Sequence, residues 1–265
     1  MNKSPVSLSP LLPEFEDRGR AIRFGLIALA TDLTSERDLY RMLPSADTSI
    51  HVTRVAFENP TTPENLRKMA PRLTEAADLL VPGEPLRAIC YSCTAASVMI
   101  GDREIADAIN RARPGVPVVT PTAAACMALT SLGARRIAVL TPYLEATARP
   151  MAAYFSRNGF AVERMHCFGL EDDREMARIS VSSIVDAALA ADTGEAEALF
   201  ISCTALQAVG GISQIEERIG KPVVTSNQAS AWAMARLAGL PNHRPQGYGR
   251  LFELPIVQQN NGEVA

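Results

Sequence analysis

The chain has 265 residues, of which 47% are hydrophobic and 21% charged, and its formal net charge at pH 7 is −3. This composition indicates a globular protein of one large domain or two ordinary ones, and it excludes a largely disordered chain. Because there is no basic surplus and no apolar run near the ~20 residues that span a bilayer, we expect contact with neither nucleic acid nor membrane.

Residues 1–20 are expected to form a flexible arm ahead of the folded part. Prolines and acidic residues interrupt this stretch, whereas a signal peptide needs an unbroken apolar core. Without an export signal the five cysteines are expected to be reduced thiols, and their odd number argues further against a disulfide framework. The sequence therefore predicts a cytoplasmic protein.

From residue 22 the chain alternates strand-like and helix-like segments in an order that occurs twice. The first pass comprises a strand and an amphipathic helix within 22–43, a strand at 50–57, a helix near 63–80, a strand ending at Ser-Cys-Thr, a helix near 95–112 and a Val-Val strand within 115–125. The second pass comprises the corresponding segments at 136–157, 160–168, 174–191, the second Ser-Cys-Thr strand, 205–219 and 220–230. A last helix, 228–239, is expected to return to the first half.

Strands that alternate with helices predict parallel sheets covered by helices on both faces. We therefore predict an α/β protein of two pseudo-symmetric, flavodoxin-like domains. The N-terminal domain would comprise residues 21–119 and 226–265, and the C-terminal domain residues 120–225. Ligands of such folds lie beyond the carboxyl ends of the strands, so the active site is predicted in the interdomain cleft.

The functional prediction rests on a segment that occurs twice, a strand end with the sequence Ser-Cys-Thr, which we call the cysteine corner. The segments "AICYSCTAAS" (88–97) and "ALFISCTALQ" (198–207) each end an apolar strand with Ser-Cys-Thr. Cys93 and Cys203 are each expected just before a helix, whose first amides favour an anion and lower the pKa of a thiol. A single cysteine of this kind is more often a small buried hydrophobe. Two cysteines in equivalent positions of a repeat favour a catalytic role.

The other cysteines and the histidines are predicted to have no catalytic or metal-binding role. Cys90 and Cys93 spell C-x-x-C, but residues i and i+3 of a strand face opposite ways, so Cys90 is expected in the core. Cys126 and Cys167 are assigned to the core as well. No ligand spacing links the three histidines, which are His51, His166 and His243. Neither a Rossmann nor a P-loop glycine motif occurs, so we expect no metal and no nucleotide.

From about residue 22 onward the chain resembles the aspartate/glutamate racemase superfamily and, within it, the maleate isomerase and arylmalonate decarboxylase branch. The resemblance rests on "LIALATDLTSERDL", "CYSCTAAS", "LTPYLEA", "FGLEDDREMARIS", "ISCTALQAV" and "GYGRLFEL". It implies an enzyme without a cofactor, with two cysteines on opposite sides of a substrate carbon. The segments "LATDLTSERDL" and "IHVTRVAFENPTTPENLRKMA" also resemble the ectoine-utilisation (EutA) proteins of this branch, which implies a role in ectoine or hydroxyectoine breakdown.

The resemblance implies roles for ten residues. Cys93 and Cys203 match the two catalytic cysteines, and Tyr143 matches a tyrosine that contacts the substrate carboxylate. The segments that would cradle the carboxylate oxygens match Thr94, Ala95, Thr204, Ala205 and Leu206. Asp32 and Asp173 stand where maleate isomerases carry asparagine.

The two aspartates change the expected substrate. An ionised Asp32 or Asp173 would repel a dianion such as maleate and attract a cationic nitrogen, so a substrate with both a carboxylate and a cation would suit the site better. The alternatives stay open that Asp32 merely caps the helix of residues 35–43 and that Asp173 belongs to an ordinary acidic helix start.

The leading functional prediction is a two-cysteine racemase or epimerase that acts next to a carboxylate on a small amino-acid-like substrate. A maleate cis–trans isomerase is the second candidate, and a ligand-binding protein that kept the fold but lost turnover is the third. A decarboxylase is disfavoured because that branch keeps only the second cysteine. The resemblance also implies a homodimer or a higher homo-oligomer.

Overall fold

The computed structural model describes residues 6, 8–15, 21–44, 46 and 48–256, and it contains two parallel four-stranded sheets. The first sheet has the order β2-β1-β3-β4, with strands β1 (Ile22–Leu29), β2 (Thr48–Val55), β3 (Ala88–Ser92) and β4 (Val118–Val119). The second has the order β6-β5-β7-β8, with β5 (Arg136–Tyr143), β6 (Ala161–Leu170), β7 (Ala198–Ile201) and β8 (Val223–Thr225). The identical strand order confirms the predicted repeat and fold class.

Eleven α-helices connect and cover the strands of the described part of the chain. They are α1 (Ser35–Met42), α2 (Pro63–Arg67), α3 (Leu73–Asp78), α4 (Thr94–Ile100), α5 (Asp102–Ala112), α6 (Pro121–Ser131), α7 (Glu145–Arg157), α8 (Asp173–Met176), α9 (Val181–Ala191), α10 (Ile212–Ile219) and α11 (Ser226–Leu237). Short 3-10 helices occupy Ala70–Arg72, Ala208–Gly211 and Arg250–Glu253. Among the described residues no helix is both long and apolar enough to cross a membrane.

The sequence explains both the burial of the sheets and the starts of key helices. All residues of β3 and β7 are buried, as expected for central parallel strands covered on both faces. Two helices begin after a threonine cap that follows a short Val-Val strand. Thr120 accepts a hydrogen bond from the N–H of Ala123, and Thr225 forms a capping box with Gln228.

Three predicted helices are divided in two, each for a local reason. Pro71 lies in the 3-10 turn that separates α2 from α3. Gly101, with φ of 104°, ends α4 and precedes α5. Ser180 caps α9 and so separates it from α8. The predicted helix at 205–219 begins only at Ile212, a difference that changes the second cysteine corner.

Helix α11 returns toward the first half of the chain, where it contacts α1, β3 and α6. Its Trp232 is fully buried and donates from Nε1 to the carbonyl oxygen of Leu254 (3.0 Å). These contacts agree with the predicted return of the last helix, while the division into 21–119 plus 226–265 and 120–225 stays a prediction. Residues 257–265, and most of the predicted arm at 1–20, lie outside the described residues.

Candidate active site

The first cysteine corner joins the end of β3 to the start of α4. Cys93 follows Ser92 directly and caps α4 with an extended backbone (φ −154°, ψ 108°). Its thiol is buried, and the nearby backbone N–H of Ala96 lowers its pKa, but by less than burial raises it. Ser97 Oγ donates to the carbonyl oxygen of Cys93 (2.7 Å) and holds the first turn. The predicted placement of a cysteine at a helix N-terminus is confirmed here.

The second corner has a different backbone. Cys203 adopts φ of 109°, a value that favours glycine, and a turn followed by the 3-10 helix Ala208–Gly211 separates it from α10. Its thiol is buried, and the Tyr143 hydroxyl and the backbone N–H groups of Ala205 and Leu206 each lower its pKa, though by less than burial raises it. The prediction that Cys203 directly precedes a helix is therefore wrong, and a turn supplies the amides instead.

Tyr143 connects β5 to the second corner. It ends the strand, is buried, and directs its hydroxyl group to the Cys203 thiol. Burial, followed by the neighbouring thiols Cys203 and Cys93, raises its pKa well above the usual value. The phenol therefore stays protonated and acts as a hydrogen-bond donor.

Asp173 lies beside both thiols, although it also belongs to the first turn of α8. The capping of α8 is performed by Asp172, which accepts a hydrogen bond from the N–H of Arg174 (2.8 Å). Asp173 is 8% exposed and accepts a hydrogen bond at Oδ2 from Thr31 Oγ1 (2.6 Å). Burial is the main cause that raises its pKa to about 6, with the charge of Asp32 adding to the effect. Its charge in turn raises the pKa of both Cys93 and Cys203.

The two thiols are less acidic than the sequence suggested. Burial raises the pKa of Cys203 to about 12 and that of Cys93 well above its usual value, and Asp173 raises both further. The backbone amides act in the opposite direction at each thiol but are outweighed. The expected shift toward neutrality is thus reversed, and both cysteines are protonated at neutral pH in the ligand-free site.

The carboxylate of Asp32 forms hydrogen bonds at the start of α1. Its Oδ1 accepts hydrogen bonds from the N–H groups of Thr34 and Ser35 (2.9 Å each), and its Oδ2 accepts one from Ser35 Oγ (2.5 Å). Ser35 Oγ also contacts Ser92 Oγ (2.6 Å), which links this cap to the first cysteine corner. Burial raises the pKa of Asp32, and its charge reaches Cys93. The geometry matches the helix-capping alternative.

The threonines of the two corners bond to neighbouring protein groups. Thr94 Oγ1 donates to Ser226 Oγ (2.8 Å), and the backbone N–H of Cys203 donates to the same Ser226 oxygen (3.0 Å). Thr204 Oγ1 donates to the carbonyl oxygen of Ser92 (3.2 Å). The hydroxyl groups of Thr94 and Thr204 therefore connect the two corners.

Ser226 is a residue that the sequence reasoning missed. It bridges the two corners from the first position of α11, and both Ser226 and its neighbour Asn227 are buried. Asn227 Nδ2 donates to the carbonyl oxygen of Thr204 (3.0 Å). A signal was present, because "TSNQAS" replaces the "TPTAAA" of the first repeat with consecutive polar residues.

The other predicted site residues and cysteines fall in ordinary places. Ala95 and Leu206 are buried beside their cysteines. Cys90 and Cys126 are buried as predicted, but Cys167 is only half-buried and lines a separate cavity of about 510 Å³ with His166, so its assignment to the core is wrong. Its edge strand β6 leaves that side chain uncovered. The described residues contain no group of three or more His, Cys, Asp or Glu that could hold a metal ion.

One protein-family model matches more than half of the chain. The sequence model of the arylmalonate decarboxylase family matches residues 64–252. The arylmalonate decarboxylase of Bordetella bronchiseptica is 31% identical over 145 residues, which span 54% of this chain and 60% of that protein. This match therefore covers less than two thirds of the decarboxylase.

Two further comparisons cover most of the chain. The maleate isomerase of Nocardia farcinica is 29% identical over 242 residues, which span 87% of this chain and 95% of that protein. A solved structure of the Nocardia farcinica maleate cis–trans isomerase, a cysteine-to-serine mutant with a covalently bound succinylcysteine intermediate, has a TM-score of 0.80. That likeness covers 88% of this chain and 98% of the other at 24% identity, and it shows a shared fold.

Proposed function

The chain belongs to the arylmalonate decarboxylase family, in the maleate isomerase branch of the racemase-like superfamily, and from that membership we propose a cofactor-independent isomerase that moves a proton next to a carboxylate. Cys93 and Cys203 would carry the proton transfers. The single observation that supports this most is that both thiols, Tyr143 and Asp173 influence one another's pKa within one buried site.

The proposed reaction uses one thiol on each side of the substrate carbon. As a thiolate, one cysteine takes the α-proton, so that a C–H bond breaks and an S–H bond forms. The other cysteine gives its thiol proton to the opposite face of the carbon. Inversion of a stereocentre requires this chemistry on both faces, which explains why the corner is duplicated.

The substrate carboxylate would bind at the amides of the two corners. The N–H groups of Thr94 and Ala95 open α4, where no intrahelical acceptor is available, and the turn of Thr204–Leu206 lies opposite. Donors in this position would also stabilise the enediolate that develops when the α-proton leaves. Tyr143 would add its hydroxyl group to this set.

Asp173 is proposed to select a substrate that also carries a cationic nitrogen. Its carboxyl is buried beside both thiols, and its pKa of about 6 keeps it ionised at neutral pH. A bound cation would offset the negative charge of Asp173, which adds to the effect of burial on both thiol pKa values, so substrate binding would help a thiolate to form. Asp32 would contribute its charge at longer range, because its carboxylate oxygens already bind the start of α1.

Small molecules with this pairing of a carboxylate and a cationic nitrogen include ectoine, hydroxyectoine and derivatives of diaminobutyrate. We propose a compound of ectoine or hydroxyectoine breakdown as the substrate, in line with the resemblance of the N-terminal segments to ectoine-utilisation proteins. A cytoplasmic location stays a prediction from the N-terminal sequence, and a homodimer or higher homo-oligomer stays a prediction from the resemblance to the superfamily.

A maleate cis–trans isomerase is the alternative supported by a specific observation. The Nocardia farcinica maleate isomerase matches this chain over 95% of its own length, and it has been solved with a succinylcysteine intermediate. In that reaction one cysteine would add covalently to the double bond and the other would supply the proton. The negative charges of Asp32 and Asp173 weigh against a dianionic substrate.

Proton NMR in deuterium oxide distinguishes these functions. The purified protein would be incubated with maleate, both enantiomers of aspartate and of 2,4-diaminobutyrate, ectoine, hydroxyectoine and their ring-opened derivatives. We expect deuterium at the α-position of a compound that carries both charges. Cys93→Ala and Cys203→Ala should each slow this exchange at least ~100-fold, the contribution of a positioned acid or base.

Cys167→Ser provides the matched control, because Cys167 lies outside the site, and it should exchange at the wild-type rate. Fumarate formed from maleate would establish the alternative function. No exchange with any compound, together with binding of an ectoine-type ligand, would contradict catalysis and indicate a binding protein.

A further inference from the structure

A half-buried carboxyl group outside the reacting groups accepts hydrogen bonds from three hydroxyl groups, two at the start of α6 and one in α7. Asp102 Oδ1 accepts hydrogen bonds from Thr120 Oγ1 (2.5 Å) and Thr122 Oγ1 (2.7 Å), and Asp102 Oδ2 accepts one from the Tyr154 hydroxyl (2.5 Å). These three hydrogen bonds to one carboxyl group join α5, α6 and α7 at a single point, which we call the junction.

The junction lies at the far ends of the helices that begin in the active site. Helix α4 begins at Cys93, and Asp102 follows its last residue by two positions, just after Gly101. Helix α7 begins two residues after Tyr143, whose hydroxyl binds Cys203, and Tyr154 lies near its other end. Helices α4 and α7 contact each other. The Asp102–Tyr154 hydrogen bond therefore links the two helices at the ends that lie away from the cysteine corners.

Thr120 and Thr122 extend the junction to a third helix. Thr120 caps α6, where its Oγ1 accepts the N–H of Ala123 while donating to Asp102. Helix α6 contacts α11, whose first residue is Ser226, the bridge between Thr94 and the Cys203 backbone. One carboxylate thus sets the positions of three helices that lead to the reacting groups.

We propose that Asp102 is a positioning residue for the two-cysteine chemistry, and that its bond to Tyr154 fixes α4 against α7 and thereby sets the position of the Cys93 thiol relative to Tyr143 and Cys203. This inference rests on the proposed function for its purpose, but the geometric coupling itself needs no substrate. Asp102 touches no reacting group and acts only through the helices. Gly101 makes such a restraint necessary, because its positive φ separates α4, which Cys93 caps, from α5, which begins at Asp102.

Alkylation of the ligand-free protein by iodoacetamide tests the coupling, with each cysteine followed by mass spectrometry. In Tyr154→Phe and Asp102→Ala we expect Cys93 to react roughly tenfold faster relative to Cys90, the order of effect for one lost hydrogen bond to a charged acceptor. Cys90 lies on the same strand, β3, and is buried, so it reports general opening of the first sheet. Asp102→Asn, which keeps a polar partner for each hydroxyl, should restore most of the wild-type ratio.

Tyr40→Phe is the matched control. Its hydroxyl donates to the carbonyl oxygen of Ile50 (3.0 Å), within the first half and away from α4. This variant should keep the wild-type ratio of Cys93 to Cys90. A proportional increase at both cysteines in Tyr154→Phe, or the same ratio in Tyr154→Phe and Tyr40→Phe, would overturn the proposal and leave the cluster a purely structural one. Because alkylation requires no turnover, these outcomes are independent of whether the proposed substrate class is right.

Discussion

The two cysteine corners arise from the same tripeptide but surround their thiols differently. Cys93 caps a helix with extended backbone, and the amide of Ala96 lowers its pKa. Cys203 has a φ of 109°, and the amides of Ala205 and Leu206 and the hydroxyl of Tyr143 all lower its pKa. Equivalent positions in the repeat therefore hold thiols with different stabilisation of the anionic form.

The difference shows how a symmetric fold can give its two cysteines different roles. The repeat brings a thiol to the carboxyl end of a strand on each side of the site. Local backbone geometry then decides how many donors each thiol receives, and more donors to the anion mean an easier loss of the proton. We expect Cys203 to become the thiolate first and Cys93 to act first as the proton donor.

Asp173 acts on the thiols of both corners, so its substitution should have the largest effect on the comparison between the two thiols. Its pKa lies at about 6 against a usual value of 3.8, because burial disfavours the ionised form. A raised carboxyl pKa means that the folded protein binds the proton more tightly than the unfolded chain. Stability is therefore lost as pH rises from about 4 to about 6, by about 3 kcal/mol in total.

Asp173→Asn should remove that pH dependence and raise the free energy of unfolding at pH 7 by up to about 3 kcal/mol, measured by urea denaturation from pH 4 to pH 8. Both thiols should also alkylate faster, since the charge that raises their pKa is gone. Asp172→Asn is the control, because Arg174 lowers the pKa of Asp172 to about 2 and its loss should destabilise the protein at neutral pH. A pH profile of Asp173→Asn that matches the wild type would contradict the placement of this charge.

Tyr143→Phe should reduce the difference in pKa between the two thiols. Without the phenol donor the pKa of Cys203 rises, and its alkylation should slow by roughly tenfold while that of Cys93 changes little. Tyr91→Phe is the matched control, since Tyr91 is a buried tyrosine of β3 whose hydroxyl contacts Met69 instead. Equal slowing at Cys93 and Cys203 would show that the tyrosine affects access to the site rather than the Cys203 thiol.

The fold could be predicted because its signals are local and repeated. Alternating apolar strands and amphipathic helices gave the order of elements, and the duplicated Ser-Cys-Thr located both thiols at strand ends. Gly101 and Pro71 were visible as helix breakers, yet the continuous apolar pattern on either side of them favoured single helices.

The electrostatics of the site could not be predicted in the same way. The pKa of a thiol depends on how completely it is buried, which is a property of the assembled halves and not of the corner. Asp173 looked like part of an acidic helix start, because the sequence does not show that Asp172 takes the cap while Asp173 turns inward. Ser226 lies far along the chain from both of the groups that it joins.

The backbone conformation of Cys203 could not be predicted from the sequence either. Substitutions at Cys203 and Cys93 compare the two corners most directly, although their expected effect is the smallest. At φ of 109° an L-residue costs of the order of 1–2 kcal/mol, whereas the extended φ of −154° at Cys93 suits any residue. Cys203→Gly should therefore be more stable than Cys203→Ala by about 1 kcal/mol. Cys93→Gly should be less stable than Cys93→Ala by about 0.5–1 kcal/mol, because glycine has more freedom to lose on folding. Urea denaturation midpoints of the four variants would show this opposite sign, and the same sign at both positions would mean that the two corners share one backbone geometry.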